Sequence, residues 1–380
     1  MPKNAFEIAK KSLKECYEKN GIIAGKVHYA NHWARDSFYA SWGALELGDF
    51  EIVKKNLELF LKYMKRGQVP LRIGSSYLGG FLAFIGIKPW FGVRYNQGKG
   101  LLNSAMDPNL LFLMTIEKYV RETGDLAFAR KNITKIKSAI AWLNKWKKDD
   151  LIYSEKYATW QDSIKKKGFV LYTNILYYET MKKMGRLFTR LRIKNEFTEK
   201  ANEIKKMINR RFWDKRMGHY IDYYNEKKRS GVFTSDGNFY SILFDVADKA
   251  QSESILKKAK KYGISKDVPS YTNFPKHKNR DVYPLLYLGH MQSYNDYGIA
   301  WPWIGCIHAV CLFKMKRVAE AMKIMKKISK LIEKDGDVYE TYEKNGKPLN
   351  RLFYRSEHPF AWGAGFYILA YKQLKNYGKI

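Results

Sequence analysis

The chain has 380 residues, 46% of them hydrophobic and 28% charged, with a formal net charge of +32. That balance is globular, long enough for a sizeable core, and no apolar run reaches the length needed to cross a bilayer, so neither a disordered chain nor a membrane protein is expected. The lysines recur as scattered pairs such as Lys54-Lys55, Lys147-Lys148 and Lys257-Lys258, without zinc-finger spacing, an RNP-like aromatic motif or a P-loop. No specific nucleic-acid partner is expected from such a pattern.

Apolar positions recur at helical spacing along the whole chain. The periodicity predicts twelve helices, near 4–19, 36–47, 49–66, 106–122, 125–147, 171–188, 195–211, 236–247, 249–262, 301–315, 316–334 and 359–375. Gly48-Asp49 and Gly124-Asp125 each read as a helix stop followed by an N-cap, and Gly67 reads as the close of the third helix. A short β-hairpin is predicted near 212–233, where Phe212-Trp213-Asp214 and His219-Tyr220-Ile221 flank Gly218. Between helices, tight turns alternate with long loops at 20–35, 67–105, 148–170, 263–300 and 335–358. Loops of that length in a compact domain are usually functional. They hold many of the chain's aromatic residues, which are 16% of the total, and aromatic loops suit a ligand with flat apolar faces, such as a sugar ring. No linker or composition break divides the chain, so residues 1–380 are expected to form one domain. If the helices pair as hairpins and the pairs close into a ring, the long loops gather at one end around a pocket.

Six segments resemble, in order, a known superfamily. Trp33-Ala-Arg35-Asp36-Ser-Phe is similar to the Trp-x-Arg-Asp-x-Phe segment of glycogen-debranching glucosidases, glucoamylases and neutral invertases. Gly67-Gln-Val-Pro70-Leu-Arg72, the Asn103 to Phe112 block with Thr123-Gly124-Asp125, and Thr159-Trp160-Gln161-Asp162 resemble the segments that follow. So do Gly298-Ile-Ala-Trp301-Pro302-Trp303 and Tyr339-Glu340-Thr-Tyr342 with Phe360-Ala-Trp362. Gln161 stands where these enzymes usually carry Met, and Met106-Asp107-Pro108 replaces their Asp-Ala. The resemblance covers residues 33 to 365. It implies an all-α fold, an (α/α)6 barrel or six-hairpin toroid of twelve helices with active-site loops at one end, and a glycoside hydrolase that needs no cofactor or metal. His28, His32, His290, His308 and His358 have no metal-ligand spacing with Cys or Glu.

Glycoside hydrolysis needs a protonated and an ionised carboxyl group on opposite faces of the scissile bond, roughly 6.5–9.5 Å apart in an inverting enzyme. Asp162 follows Trp160, whose aromatic wall suits an acid kept protonated, and the resemblance gives it that role. Glu340 maps to the base position. Taken alone it reads as a solvated loop charge. Glu357 is the rival base, although a carboxylate just before the last helix also suits that helix's N-terminus. Asp107 reads equally as a helix cap or a sugar contact. Arg35 and Asp36 offer a donor and an acceptor to neighbouring hydroxyls, or an exposed cation and a cap. Trp33, Trp160, Trp301, Trp303 and Trp362 each read singly as packing and together as the wall of a sugar pocket. That pocket is expected to be acidic within a basic shell.

The activity expected is inverting, exo-acting release of a terminal sugar, most simply glucose, from soluble oligosaccharides. The alternatives are an invertase- or trehalase-like hydrolase of a disaccharide and a catalytically inactive carbohydrate-binding toroid. Cys16, Cys306 and Cys311 make no disulfide framework, and the N-terminus lacks an apolar signal segment, which together point to the cytoplasm.

Overall fold

The computed structural model describes residues 3–75, 91–96, 103–284, 298–351 and 354–377. His290 and parts of the expected loops at 67–105, 263–300 and 335–358 lie outside them. Thirteen α-helices are found among the described residues. They are α1 (Lys3–Glu15), α2 (Ala34–Leu47), α3 (Phe50–Tyr63), α4 (Asp107–Thr123), α5 (Leu126–Lys131), α6 (Ile133–Asn144) and α7 (Leu171–Arg190). The rest are α8 (Phe197–Phe212), α9 (Ser235–Leu243), α10 (Lys249–Lys261), α11 (Pro302–Lys314), α12 (Val318–Asp335) and α13 (Ala361–Tyr377). The expected helix at 125–147 is α5 and α6 together, interrupted at Asn132, whose backbone leaves the helical region and whose amide side chain turns back to the Phe128 carbonyl. The expected first helix stops at Glu15, because Tyr17–Glu18 and Gly21–Ile22 pair as a small hairpin.

Two kinds of helix build the ring. Residues 107–120 of α4 are buried on every side, as is nearly all of α7 and α11, which is how a helix sheathed by others must read. In contrast, α8 buries only Ala201, Ile204, Ile208 and Phe212, and α12 buries one stripe from Ala321 to Ile332. The first kind forms the inner ring. Going round, α2 packs on α4, α4 on α7, α7 on α9, α9 on α11, α11 on α13, and α13 back on α2. The amphipathic helices α1, α3, α5 with α6, α8, α10 and α12 lie outside. This is the six-hairpin α/α toroid. Its closure depends on glycine: a Cβ on Gly43 of α2 would overlap the backbone of Gly365 of α13.

Five of the six inner helices are joined to the next outer helix by a short connection, α13 being the last element. Gly48 and Gly124 end α2 and α4 in the left-handed region, at φ 82° and 74°, where glycine carries no Cβ penalty. Asp125 caps α5 by accepting from the Phe128 amide at 2.9 Å. Asp49 does not cap α3; its carboxylate accepts from the Tyr17 hydroxyl at 2.9 Å instead. Gly67, expected to close the third helix, lies beyond its end in a separate turn at φ 81°. The described parts of the long connections lie at the opposite end and carry short strand pairs. His32–Trp33 pairs with Arg72–Ser75, Gly168–Val170 with Leu151–Ser154 and Tyr223–Tyr224, and Ile299–Ala300 with Tyr342–Glu343. The predicted hairpin is present as Trp213–Asp214 against His219–Tyr220.

Candidate active site

The inner helices α2, α7 and α9 begin directly where a strand ends, so their first turns open toward the loops. Three inner helices place an acid in that turn, Asp36 in α2, Asp107 in α4 and Asp236 in α9, where unpaired helical amides favour negative charge. Asp107 is not a side-chain cap. It is buried, and its carboxylate takes both arms of Arg35, from Nε at 2.6 Å and Nη2 at 3.2 Å. Arg35 is therefore neither exposed nor a free donor. Burial would lower its pKa, but Asp107 beside it, with Asp162 farther off, raises it above the ordinary value. Asp162 thus lies within electrostatic reach of Arg35.

Asp36 is half-buried. Burial pushes its carboxyl up to about 7; Arg35 opposes that rise, while Asp107 and Glu357 add to it. The Asp36 carboxyl accordingly shares one field with the Arg35–Asp107 pair and with Glu357 from the last long loop.

Glu340 and Glu357 are both buried and joined through the backbone. The Glu340 amide donates to the Glu357 carbonyl at 2.9 Å, and the Glu357 amide points at Glu340 Oε2 at 3.4 Å. The same Oε2 accepts a short hydrogen bond from the Tyr354 hydroxyl. The Glu357 carboxylate faces the other way, into the 25–29 turn. It accepts from the amides of Val27 and His28 at 2.6 Å each and Tyr29 at 3.1 Å. It also fills the space where any side chain on Gly25 would stand. Glu357 complements the backbone of that turn and not, as the sequence suggested, the last helix alone.

Four of the tryptophans meet. Trp160 stands edge-on to Trp301, Trp303 and Trp362 with ring centroids 5.2, 5.1 and 6.0 Å away, and Tyr39 stacks on Trp303 and Trp362 from below. These contacts are within the range of favourable aromatic pairs. The Trp160 indole N–H donates to Asp236 at 2.5 Å. The buried indole N–H groups of Trp303 and Trp362 have no acceptor among the described residues. Trp33 is placed differently: half-buried, it meets Tyr29 edge-on and carries the Arg72 guanidinium 5.6 Å over its ring.

Sequence reasoning did not single out Asp236, Tyr354 or the group beneath Gln161. There, buried Lys166 donates to Gln161 and, at 2.7 Å, to Asp222, whose carboxyl burial pushes up to about 6 against the pull of Lys166. Buried His277 completes the group, its Nε2 3.9 Å from Asp222, and its pKa is driven down by burial and by Lys166 and Lys228. A signal for Asp236 existed, since Thr234-Ser-Asp236 places an acid in the first turn of a predicted inner helix, as at Asp36 and Asp107. Nothing in the local sequence marks Tyr354, whose role depends on a partner fourteen residues away.

The trehalase family model matches residues 170–374, a stretch that includes Glu340, Glu357 and the three later tryptophans and begins just after Asp162. No curated protein sequence matches. Among solved structures, the chain is similar to a rhamnosidase from Klebsiella oxytoca with rhamnose bound, at 13% identity and a TM-score of 0.69, covering 99% of this chain and 63% of that one. It is also similar to a GH63 mannosylglycerate hydrolase from Thermus thermophilus in complex with Tris and D-glycerate, at 13% identity and a TM-score of 0.70, covering 97% of this chain and 100% of that one. At such identity the likeness establishes the fold.

Proposed function

The chain belongs to the trehalase family and is a glycoside hydrolase, and from that premise we propose that it releases a terminal sugar, glucose foremost, from short soluble oligosaccharides by an inverting, exo-acting mechanism, with Asp162 as acid and Glu340 as base. The observation that carries the reading is the origin of two carboxyl groups in separate loops of the loop end, one of them anchored. Asp162 belongs to the Trp160 loop and lies in the field of Arg35. Glu340 belongs to the last loop and is held through one oxygen by Tyr354. In this mechanism Asp162 passes its proton to the glycosidic oxygen as the C–O bond breaks. Glu340 takes a proton from the water that attacks the anomeric carbon on the opposite face. A base anchored through one oxygen keeps the other in a fixed direction.

Glu357 suits this step less well. Three backbone amides already occupy its oxygens, and turning toward water would break all three of those hydrogen bonds. The indole N–H groups of Trp303 and Trp362 are natural donors for hydroxyls of the terminal sugar, with Asp36 as an acceptor. The family match favours a second reading, a disaccharide-sized substrate. Both readings treat residues 1–380 as one catalytic domain, supported by a cluster of buried apolar side chains running from Ala5 to Leu374. Both also assume a cytoplasmic protein, supported by three buried free thiols. No described helix is long and apolar enough to cross a membrane.

The test is a panel of α- and β-linked di- and oligosaccharides followed by proton NMR from the first turnover. A β-anomer released first from an α-linked substrate is expected. Retention of configuration would remove the base role of Glu340. Cleavage of disaccharides alone would select the second reading, and absence of any released sugar across the panel would refute exo-hydrolysis of these glycosides.

A further inference from the structure

On the outer wall, α10 and α12 diverge over the C-terminal half of α11, the helix whose first turn carries Trp303, and leave a cavity of about 310 Å³, at the lower end of the size of small-molecule sites. Its floor is apolar, made by Leu256 and Ala259 of α10, Leu312 of α11 and Ile324 of α12. Its rim is cationic: Lys260, Lys266, Arg317, Lys323 and Lys327 line it against the single carboxylate of Glu320.

That carboxylate is already matched. Arg317 grips it with Nε and Nη2 at 2.7 and 2.9 Å, and Lys260 stands 3.7 Å away. The nearby acids are engaged as well, Glu253 by Arg317 at 3.8 Å and Asp267 by Lys344 at 3.8 Å. Lys327 turns its ammonium to the carbonyls of Ser265, Lys266 and Asp267 and meets no carboxylate among the described residues. Burial and the neighbouring Lys323 push its pKa down, as expected where two ammonium groups crowd one wall. At the back of the cavity, His308 bonds the Ser265 hydroxyl through Nδ1 at 2.8 Å. Burial holds its pKa down to about 3, so at neutral pH it offers hydrogen bonding and no charge.

We propose that this cavity between α10 and α12 binds a small soluble organic phosphate, its apolar body on the Leu256–Leu312–Ile324 floor and its phosphate among Lys266, Lys323 and Lys327. The chemistry is complementary on both counts. A dianion relieves the repulsion between the lysines, and a compact apolar body covers a floor that water serves poorly. A ligand with only one of the two parts meets half of the site. The proposal does not depend on the hydrolase reading, since no residue of the candidate active site takes part in it.

The probes are phenyl phosphate, inorganic phosphate and phenol, titrated calorimetrically into the whole chain at near-physiological salt. Phenyl phosphate is expected to bind one to one, at least tenfold tighter than either fragment. Lys323→Glu and Lys266→Glu, both at exposed positions, are expected each to weaken it about tenfold or more while thermal melting stays within a few degrees of the parent. Lys194→Glu, on a different lysine-bearing surface, should leave it unchanged. Equal weakening by Lys194→Glu would show a diffuse response to net charge and overturn the site. So would phenyl phosphate binding no tighter than inorganic phosphate. Displacement of phenyl phosphate by phosphatidylglycerol vesicles, but not by soluble phosphate esters, would overturn the soluble ligand in favour of a lipid headgroup.

Discussion

The two ends of the toroid handle charge in opposite ways. At the tight-turn end, buried acids face cations. Glu117 of α4 is gripped by Lys183 of α7 at 2.9 Å and Arg186 at 3.3 Å, and Lys118 reaches Glu46 of α2 at 2.9 Å. These pairs tie neighbouring inner helices together. At the loop end, Asp107 has a bidentate arginine. Glu357 is held by amides, Glu340 by a tyrosine and an amide, and Asp36 by an environment that raises its pKa. A salt-bridged carboxylate is fixed in one protonation state, whereas one held by neutral donors or by burial retains the capacity to exchange a proton. The first end is built for cohesion and the second is suited to chemistry.

The sharpest way to break that contrast is to remove carboxyl groups at the loop end. Asp162→Asn should lower turnover of unactivated glycosides about 10²–10⁴-fold, with less loss on a glycosyl fluoride, whose leaving group needs little protonation. Glu340→Gln should lose about as much on both substrates. Neither change should lower the melting temperature by more than a few degrees. A Glu340→Gln protein that keeps wild-type turnover, with Glu357→Gln inactive yet stable, would transfer the base role to Glu357. Tyr354→Phe offers a finer reading. Loss of one anchor on Glu340 should reduce kcat by about tenfold and leave KM little changed, whereas an unchanged kcat would show that the anchor has no part in the reaction.

The reciprocal test lies at the tight-turn end. Lys183→Met leaves Glu117 and Glu179 short of a buried cation, and breaking such a pair typically costs about 3–5 kcal/mol. The exposed side of Arg186 still serves both acids, so a loss near the lower end of that range, about 3 kcal/mol, is expected in urea unfolding, with kcat per folded molecule unchanged. A change in kcat exceeding tenfold in the folded protein would mean that the two ends are not separable.

Much of this architecture could be read in the sequence because helix periodicity is local. All twelve expected helices correspond to observed ones, and the inner and outer sets differ in how many faces are apolar, which is visible in α4 against α8. The interruption at Asn132 was less legible, since it depends on one side chain returning to the Phe128 carbonyl. The site was legible where motif order carried it and illegible where a partner comes from far along the chain. Arg35 and Asp107, seventy-two residues apart, each looked like a solvent-facing or capping residue until the ring brought them together. Tyr354, Lys166 and Asp222 are ordinary loop residues by local pattern, and only burial in a shared space gives them meaning.

The smallest expected effect concerns Asp36, and its sign follows from linkage. Its carboxyl is raised from an ordinary 3.8 to about 7 by burial, against the opposing pull of Arg35 and with help from Asp107 and Glu357. Below pH ~4 the group is protonated in both folded and unfolded chains, and its contribution is fully present. Between pH ~4 and ~7 the unfolded chain ionises while the folded one keeps its proton, so stability falls as pH rises. Above pH ~7 both are ionised and the loss is complete. Asp36→Asn cannot ionise in either state and escapes this slope. Its stability relative to the parent should therefore rise by roughly 1–3 kcal/mol from about pH 4.5 to about pH 7.5 and then level off, a range set below the full linkage value because the residue is only half-buried. Urea titrations of both proteins at half-unit pH steps would measure it. A difference that stays flat across that window would show that Asp36 is ionised in the folded protein throughout, and the loop end would then be less distinct from the tight-turn end than the contrast requires.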